Sequence, residues 1–202
     1  MSTTHIAIEQ AEFEQAELPC KPKRADARRN YEKIVTAARE AFAEHGTSAS
    51  LEEITRRAGV GIGTLYRNFP NRQALLEAVY IEEVQGLSRA AAECAALDPW
   101  EGFSAWVRRL VSFLQAKQAL AAELLDYMDR DSPLFCQCRE TLFAAGSPLL
   151  ERAQQAGVTR TDASIEDILH LFLGVAKTPG ITQEQVDHIV GIALDGLRSR
   201  AA

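Results

Sequence analysis

Apolar residues recur three and four positions apart along most of this chain, the period of helices buried on one side. Ile34, Ala37, Ala38, Ala41, Phe42 and His45 form the first such stripe, which predicts a helix over about Ala27 to Glu44, ended by Gly46. Leu51, Ile54 and Ala58 form a second, short pattern, and Leu65 with Phe69 a third. Ser50, three residues before Glu53, reads as a capping box that starts the second helix. Between the two short helices, Gly59 supplies the positive φ that closes a helix, and Val60 offers an apolar plug under the corner. Pro70 stops the third helix. A long helix follows from about Asn71 to Ala96, with Leu75, Leu76, Val79, Tyr80, Val84 and Leu87 on its apolar side.

The second half continues in the same manner. Asp98, Pro99 and Glu101 mark a helix start, and Phe103, Trp106, Val107, Leu110, Val111, Phe113 and Leu114 make that helix apolar nearly all round. Ala119 to Met128 predicts a shorter helix. Ser132 and Pro133 start one that reaches Gly157, with a bend at Gly146, Ser147 and Pro148. Ile165, Ile168, Leu169, Phe172, Leu173 and Ala176 form one late stripe; Val186, Ile189, Val190, Ala193, Leu194 and Leu197 form the other. Thr182 with Gln185 caps the last helix, and Pro179 with Gly180 separates the pair. The fold class is therefore all-α, with about nine helices.

Two helices of one or two turns cannot bury their apolar faces alone. Leu51 to Arg72 reads as a helix-turn-helix whose second helix is free to enter a DNA major groove. Leu65 and Phe69 point inward, whereas Thr64, Tyr66, Arg67 and Asn68 take other faces, and Gly63 keeps the backbone slim for close approach. Arg67 suits guanine and Asn68 suits adenine.

The residues from about Asp26 to Tyr80 resemble the DNA-binding domain of the tetracycline-repressor (TetR) family. The likeness is carried by Ile34, Val35, Ala37, Ala38, Phe42 and Gly46, then Ser50 and Ile54, then Ala58, Gly59 and Val60. Gly63, Thr64, Leu65, Tyr66, Phe69, Pro70 and Leu75 complete it. Beyond them the chain matches only in length and helical character. Residues 1–20, with Glu9, Glu12, Glu14 and Glu17, read by composition as an acidic tail, either disordered or a frayed helix. The resemblance implies a DNA-binding helix-turn-helix domain over 21–72 and an α-helical effector-binding and dimerisation domain over 73–202. It implies a homodimeric repressor of palindromic double-stranded operator DNA, released by a small-molecule effector. It also implies Thr64 and Tyr66 at phosphates or thymine methyls, and Ser50 and Arg72 at backbone phosphate, with the long fourth helix carrying pocket changes to the heads. Two positions depart from the family pattern. Gly61 stands where many relatives carry Ser or Thr, and Ile62 where many carry Lys or another polar residue. Ile62 is either half-buried beside Leu65 and Phe69 or, if exposed, a reader of thymine methyl.

The formal net charge of −6 argues against a nucleic-acid partner until its distribution is considered. Residues 20–72 hold 11 Lys/Arg against 6 Asp/Glu, whereas residues 73–202 hold 11 against 18. A basic segment on an acidic body suits phosphate contact on one side. Lys21, Lys23, Arg24, Arg28 and Arg29 form an arm that either reaches DNA or solubilises the leader. No apolar run has the length of a membrane span and no secretion signal is visible, so a cytoplasmic location is expected. Cys20, Cys94, Cys136 and Cys138 form no CxxC pair and read as reduced thiols.

Trp106, Phe113, Tyr127, Met128, Phe135 and Cys136 either line an effector cavity or fill the core. Without a charged cluster among them, a lipophilic effector is expected. The last two helices, through Ile168, Phe172, Ile189, Val190, Ala193 and Leu197, either pair across a two-fold dimer or form an intrachain hairpin. Gly174, Gly191 and Gly196 point to something packed closely against them. No catalytic set, metal cluster or cofactor motif is present, because His5, His45, His170 and His188 are scattered. Besides an enzyme, the other alternative is a thiol-based redox sensor.

Overall fold

The computed structural model describes residues 25–199, which form nine α-helices and one 3-10 turn. The acidic tail and Lys21 to Arg24 lie outside the described residues. Helix α1 spans Ala25–His45, and a 3-10 turn over Gly46–Ser48 leads to α2, Leu51–Ala58. Helix α3, Ile62–Asn68, precedes the long α4, Arg72–Cys94. Helix α5, Pro99–Ala116, runs almost directly into α6, Gln118–Leu124. Helices α7, Pro133–Gln155, α8, Ile165–Ala176, and α9, Gln183–Leu197, follow.

Local chemistry explains most of these limits. The Ser50 hydroxyl accepts the Glu53 amide at 3.1 Å and caps α2. Gly59 closes that helix with φ 65°, and the amide of Val60 returns to the Thr55 carbonyl at 3.1 Å. The Asn71 side chain accepts the Ala74 amide at 2.8 Å to start α4. Thr182 and Gln185 form the expected capping box, and Ser164 with Asp167 forms another that the hydrophobic pattern did not reveal. Asp98 and Ser132 make no side-chain cap bond. There the following prolines act instead, with φ preset and no amide hydrogen to satisfy. Helix α6 is shorter than expected because tight turns replace it from Leu125 onward.

Helix α4 joins the two ends of the molecule. It packs against α1 and α6 and against α5 and α7. Ile34, Ile54, Leu65, Leu75, Leu76 and Val79 fill the N-terminal part of the core. Phe103, Trp106, Leu110, Leu124, Ile168 and Phe172 fill the C-terminal part.

Helix α7 passes through Gly146, Ser147 and Pro148 as one helix. The Ser147 hydroxyl bonds the Phe143 carbonyl at 2.8 Å, one turn back. Gly146 is required by a close approach: a Cβ there would lie 2.5 Å from Trp106 and 2.6 Å from Ile165. Trp106 is fully buried and has little room to yield. Gly146→Ala should therefore destabilise the fold by about 1–3 kcal/mol despite the better helix propensity of alanine. Urea unfolding followed by circular dichroism measures this, and an unchanged or raised midpoint would contradict the packing described.

Candidate nucleic-acid interface

Helix α3 has only seven residues, too few for stability on its own. Its inner side chains attach it to the rest of the head. Leu65 is completely buried, Phe69 is 2% exposed, and the Tyr31 ring of α1 lies 5.0 Å from the Phe69 ring. Gly61, at the N-cap, provides no side-chain bond, although its carbonyl accepts the Thr64 and Leu65 amides at 2.8 and 3.2 Å.

The opposite surface of α3 is open. Ile62 and Tyr66 are 43% and 49% exposed, and Gly63 and Arg67 are exposed as well. Of the two positions open to Ile62, the structure has the exposed one, on the shoulder away from the core. Thr64 and Asn68 are half-buried on the other flank. There Arg67 donates to the Thr64 hydroxyl at 3.0 Å, and the Asn68 amide donates to the Thr64 carbonyl at 2.8 Å.

Arg72 connects the head to the body. Its Nε donates to Glu123 of α6 at 2.9 Å, and its Nη1 to the Ala49 carbonyl at 2.9 Å. The guanidinium also lies over the Phe42 ring, 5.5 Å from its centroid. The second Glu123 oxygen is buried and has no hydrogen-bond partner among the described residues. A parallel link runs from Arg39 on α1 to Glu83 on α4, at 3.9 Å, and on to Lys117 at the α5–α6 junction, at 3.0 Å. Sequence reasoning missed Glu83, Lys117 and Glu123. Glu83 and Glu123 lie within helices and Lys117 at a helix junction, so no local pattern marked them.

At the far side of the head, Glu44, His45 and Glu53 bring possible metal donors within 4.8 Å of one another. Arg57 occupies the centre of that group, donating to Glu44 at 2.9 and 2.6 Å and to Glu53 at 3.1 Å. Its guanidinium holds the Glu44 carboxyl below the usual carboxylate range. The cluster is thus satisfied by a side chain.

In the body, Phe113 and Phe135 are brought together by Tyr80, whose ring lies 6.5 and 5.5 Å from theirs. Met128 is half-buried, but Tyr127 is 49% exposed and stands outside this cluster. Trp106 fills the core against Gly146, and its Nε1 has no hydrogen-bond partner among the described residues. Cys136 is half-buried, with Arg139 Nη2 3.4 Å from its sulfur. Burial pushes the neighbouring Cys138 thiol up to about 12.

The stripe expected to face a second subunit is mostly spent within the chain. Ile168, Phe172, Val190 and Leu197 are buried in their own core, because the regular apolar spacing marks the side of α8 and α9 that packs inward. Ala193 is half-buried, and Ile189 is 37% exposed. Leu171 and Ile192, 45% and 60% exposed, occupy the outer face with Gly174 and Gly196. A Cβ added at Gly174, Gly191 or Gly196 would meet nothing within 4 Å, so none of the described residues packs closely there.

A short, well-anchored helix with a solvent-facing surface, preceded by a capped helix and a tight glycine turn, defines a helix-turn-helix DNA-binding protein. The comparisons agree. Residues 34–79 match the bacterial regulatory proteins of the TetR family, and residues 98–199 match the C-terminal domain of SbtR-like transcriptional regulators. A TetR transcriptional regulator of Streptomyces coelicolor is 37% identical, covering 85% of this chain and 99% of its own, with a TM-score of 0.73. Another, from Mycobacterium vanbaalenii, is 32% identical over 88% of this chain and 99% of its own, with a TM-score of 0.71. The transcriptional regulator SrpR of Pseudomonas putida is 28% identical over 87% of this chain and 79% of its own length. The chain belongs to the TetR family of transcriptional regulators, and it is a DNA-binding regulator, not an enzyme. Among the described residues no helix is long and apolar enough to cross a membrane.

The Arg72 junction makes a measurable statement about stability. Arg72→Ala should cost about 2 kcal/mol, because it strands the largely buried Glu123 carboxylate. Adding Glu123→Ala should recover part of that loss in a double-mutant cycle of urea unfolding. Purely additive losses would mean that the pair is not coupled.

Proposed function

We propose that this chain is a ligand-responsive transcriptional repressor that binds palindromic operator DNA as a homodimer and is released by a small-molecule effector. The observation that carries the reading is the outward surface of α3, with Ile62, Gly63, Thr64, Tyr66, Arg67 and Asn68 on or beside it. Residues 21–72 serve as the DNA-binding head and 73–202 as the effector-binding and dimerisation body. Ser50 and Arg72 flank the reading helix on the side of the backbone phosphates, and Arg72 would have to share its guanidinium between phosphate and Glu123.

The dimer face is the outer side of α8 and α9. Leu171, Ile189 and Ile192 supply apolar surface, and Gly174 and Gly196 leave room for a neighbouring helix. Pairing there would hold two α3 helices at the spacing of successive major grooves, about 34–36 Å. The effector site lies in the body, where Tyr80 of α4 gathers Phe113 and Phe135 into one aromatic group. An aromatic lining without a charged side chain among those three residues favours a lipophilic effector. An effector acts by binding one head spacing better than the other. The thiol-sensor alternative rests on Cys136, since burial raises the thiol pKa of both Cys94 and Cys138.

The test is selection of binding sites from random duplexes, followed by gel-shift titration. A palindromic site, bound with affinity that falls steeply with salt, is the expected result. Tyr66→Ala and Arg67→Ala should each weaken binding roughly tenfold or more. Full operator affinity and preference in both variants would refute the assignment of α3. Ile192→Asp should give a folded monomer by sedimentation with operator binding lost. A dimer that persists would move the interface elsewhere.

A further inference from the structure

The exposed surface of α3 is chemically divided. Ile62 and Tyr66 are four residues apart and so share one flank of the helix. They are among its most exposed side chains, although both are large and apolar. Among the described residues a Cβ added at Gly61 or Gly63, the positions on either side of Ile62, would meet nothing within 4 Å. The polar groups lie towards the other flank and engage one another, Arg67 with the Thr64 hydroxyl and Asn68 with the Thr64 carbonyl. What the helix offers freely at its N-terminal end is therefore a branched aliphatic side chain backed by a phenol ring.

Taking the DNA-binding reading above as its basis, we infer that Ile62, supported by Tyr66, is a specificity-determining residue that recognises the C5-methyl group of a thymine in each operator half-site. An isoleucine against phosphate would strip water from an anionic oxygen and return no hydrogen bond. Against a base edge it meets no such cost where that edge is itself apolar. Thymine is the base whose major-groove edge carries a methyl group. Burying that group against aliphatic surface is worth about fourfold in affinity. Gly61 and Gly63 on either side let the backbone approach closely enough for contact. Tyr66, one turn on, excludes water from the same flank and keeps a hydroxyl for a neighbouring phosphate or base.

The experiment uses the full chain and the duplex enriched from random sequences. Each thymine of a half-site is replaced in turn by deoxyuridine, which removes the methyl group and leaves every hydrogen-bonding group in place. At one thymine per half-site the unaltered protein should lose about 3–10-fold in affinity. Ile62→Ala, which changes an exposed side chain and should leave the circular dichroism spectrum intact, should bind that duplex more weakly and show no further loss with uracil at the same position. Uracil penalties below twofold at every thymine would overturn the inference while leaving DNA binding standing, as would an undiminished penalty in Ile62→Ala. Failure to enrich any duplex would overturn the DNA-binding reading together with it.

Discussion

The head depends on the attachment of a helix too short to exist by itself. Seven residues give α3 few internal backbone bonds, so its position is set by what it buries. Leu65 enters the core between α1 and α2, and Phe69 meets the Tyr31 ring at the point where the helix ends. Those two side chains, at i and i+4, also fix the rotation of the helix. Once they point inward, Arg67 and Gly63 must face solvent and Ile62 and Tyr66 must share a shoulder. Orientation of the reading surface is thus a consequence of hydrophobic burial on the other side.

The same economy governs the connection between head and body. Helix α4 is continuous from the head into the body, and two of its charged groups, Arg72 and Glu83, each bridge more than one neighbouring element. Arg72 at its start reaches α6 and the carbonyl before α2, and Glu83 further along reaches both α1 and the α5–α6 junction. Lys117 is only 8% exposed and Glu123 has an unpartnered oxygen, so these links are partly desolvated and sensitive to the geometry around them.

The body follows another rule, that of filling space. Trp106 occupies the room left by Gly146, and Tyr80 draws Phe113 and Phe135 into one aromatic group. Helices α8 and α9 bury one stripe against the rest of the chain and leave Leu171, Ile189 and Ile192 outside. Apolar residues on both sides of a helix pair are what an element needs if it is to pack inward and outward at once.

The helices, their order and the helix-turn-helix were legible in the residues. Hydrophobic period, the Ser50 and Thr182 caps, Gly59 and Pro70 are local signals, and each acts through bonds or dihedral limits within a few residues. The exposed surface of α3 was largely legible too, since Leu65 and Phe69 fix the rotation of so short a helix. What remained open was decided by neighbours distant in the chain. Whether Ile62 is covered depends on what lies over the shoulder of α3, which periodicity does not encode. Glu123, the carboxylate that Arg72 meets, is 51 residues away. The regular stripe of α8 and α9 could belong to a core or to an interface, because burial by one's own chain and by another have the same hydrophobic pattern. Only packing showed that Ile168, Phe172, Val190 and Leu197 face inward, with the irregular remainder left outside.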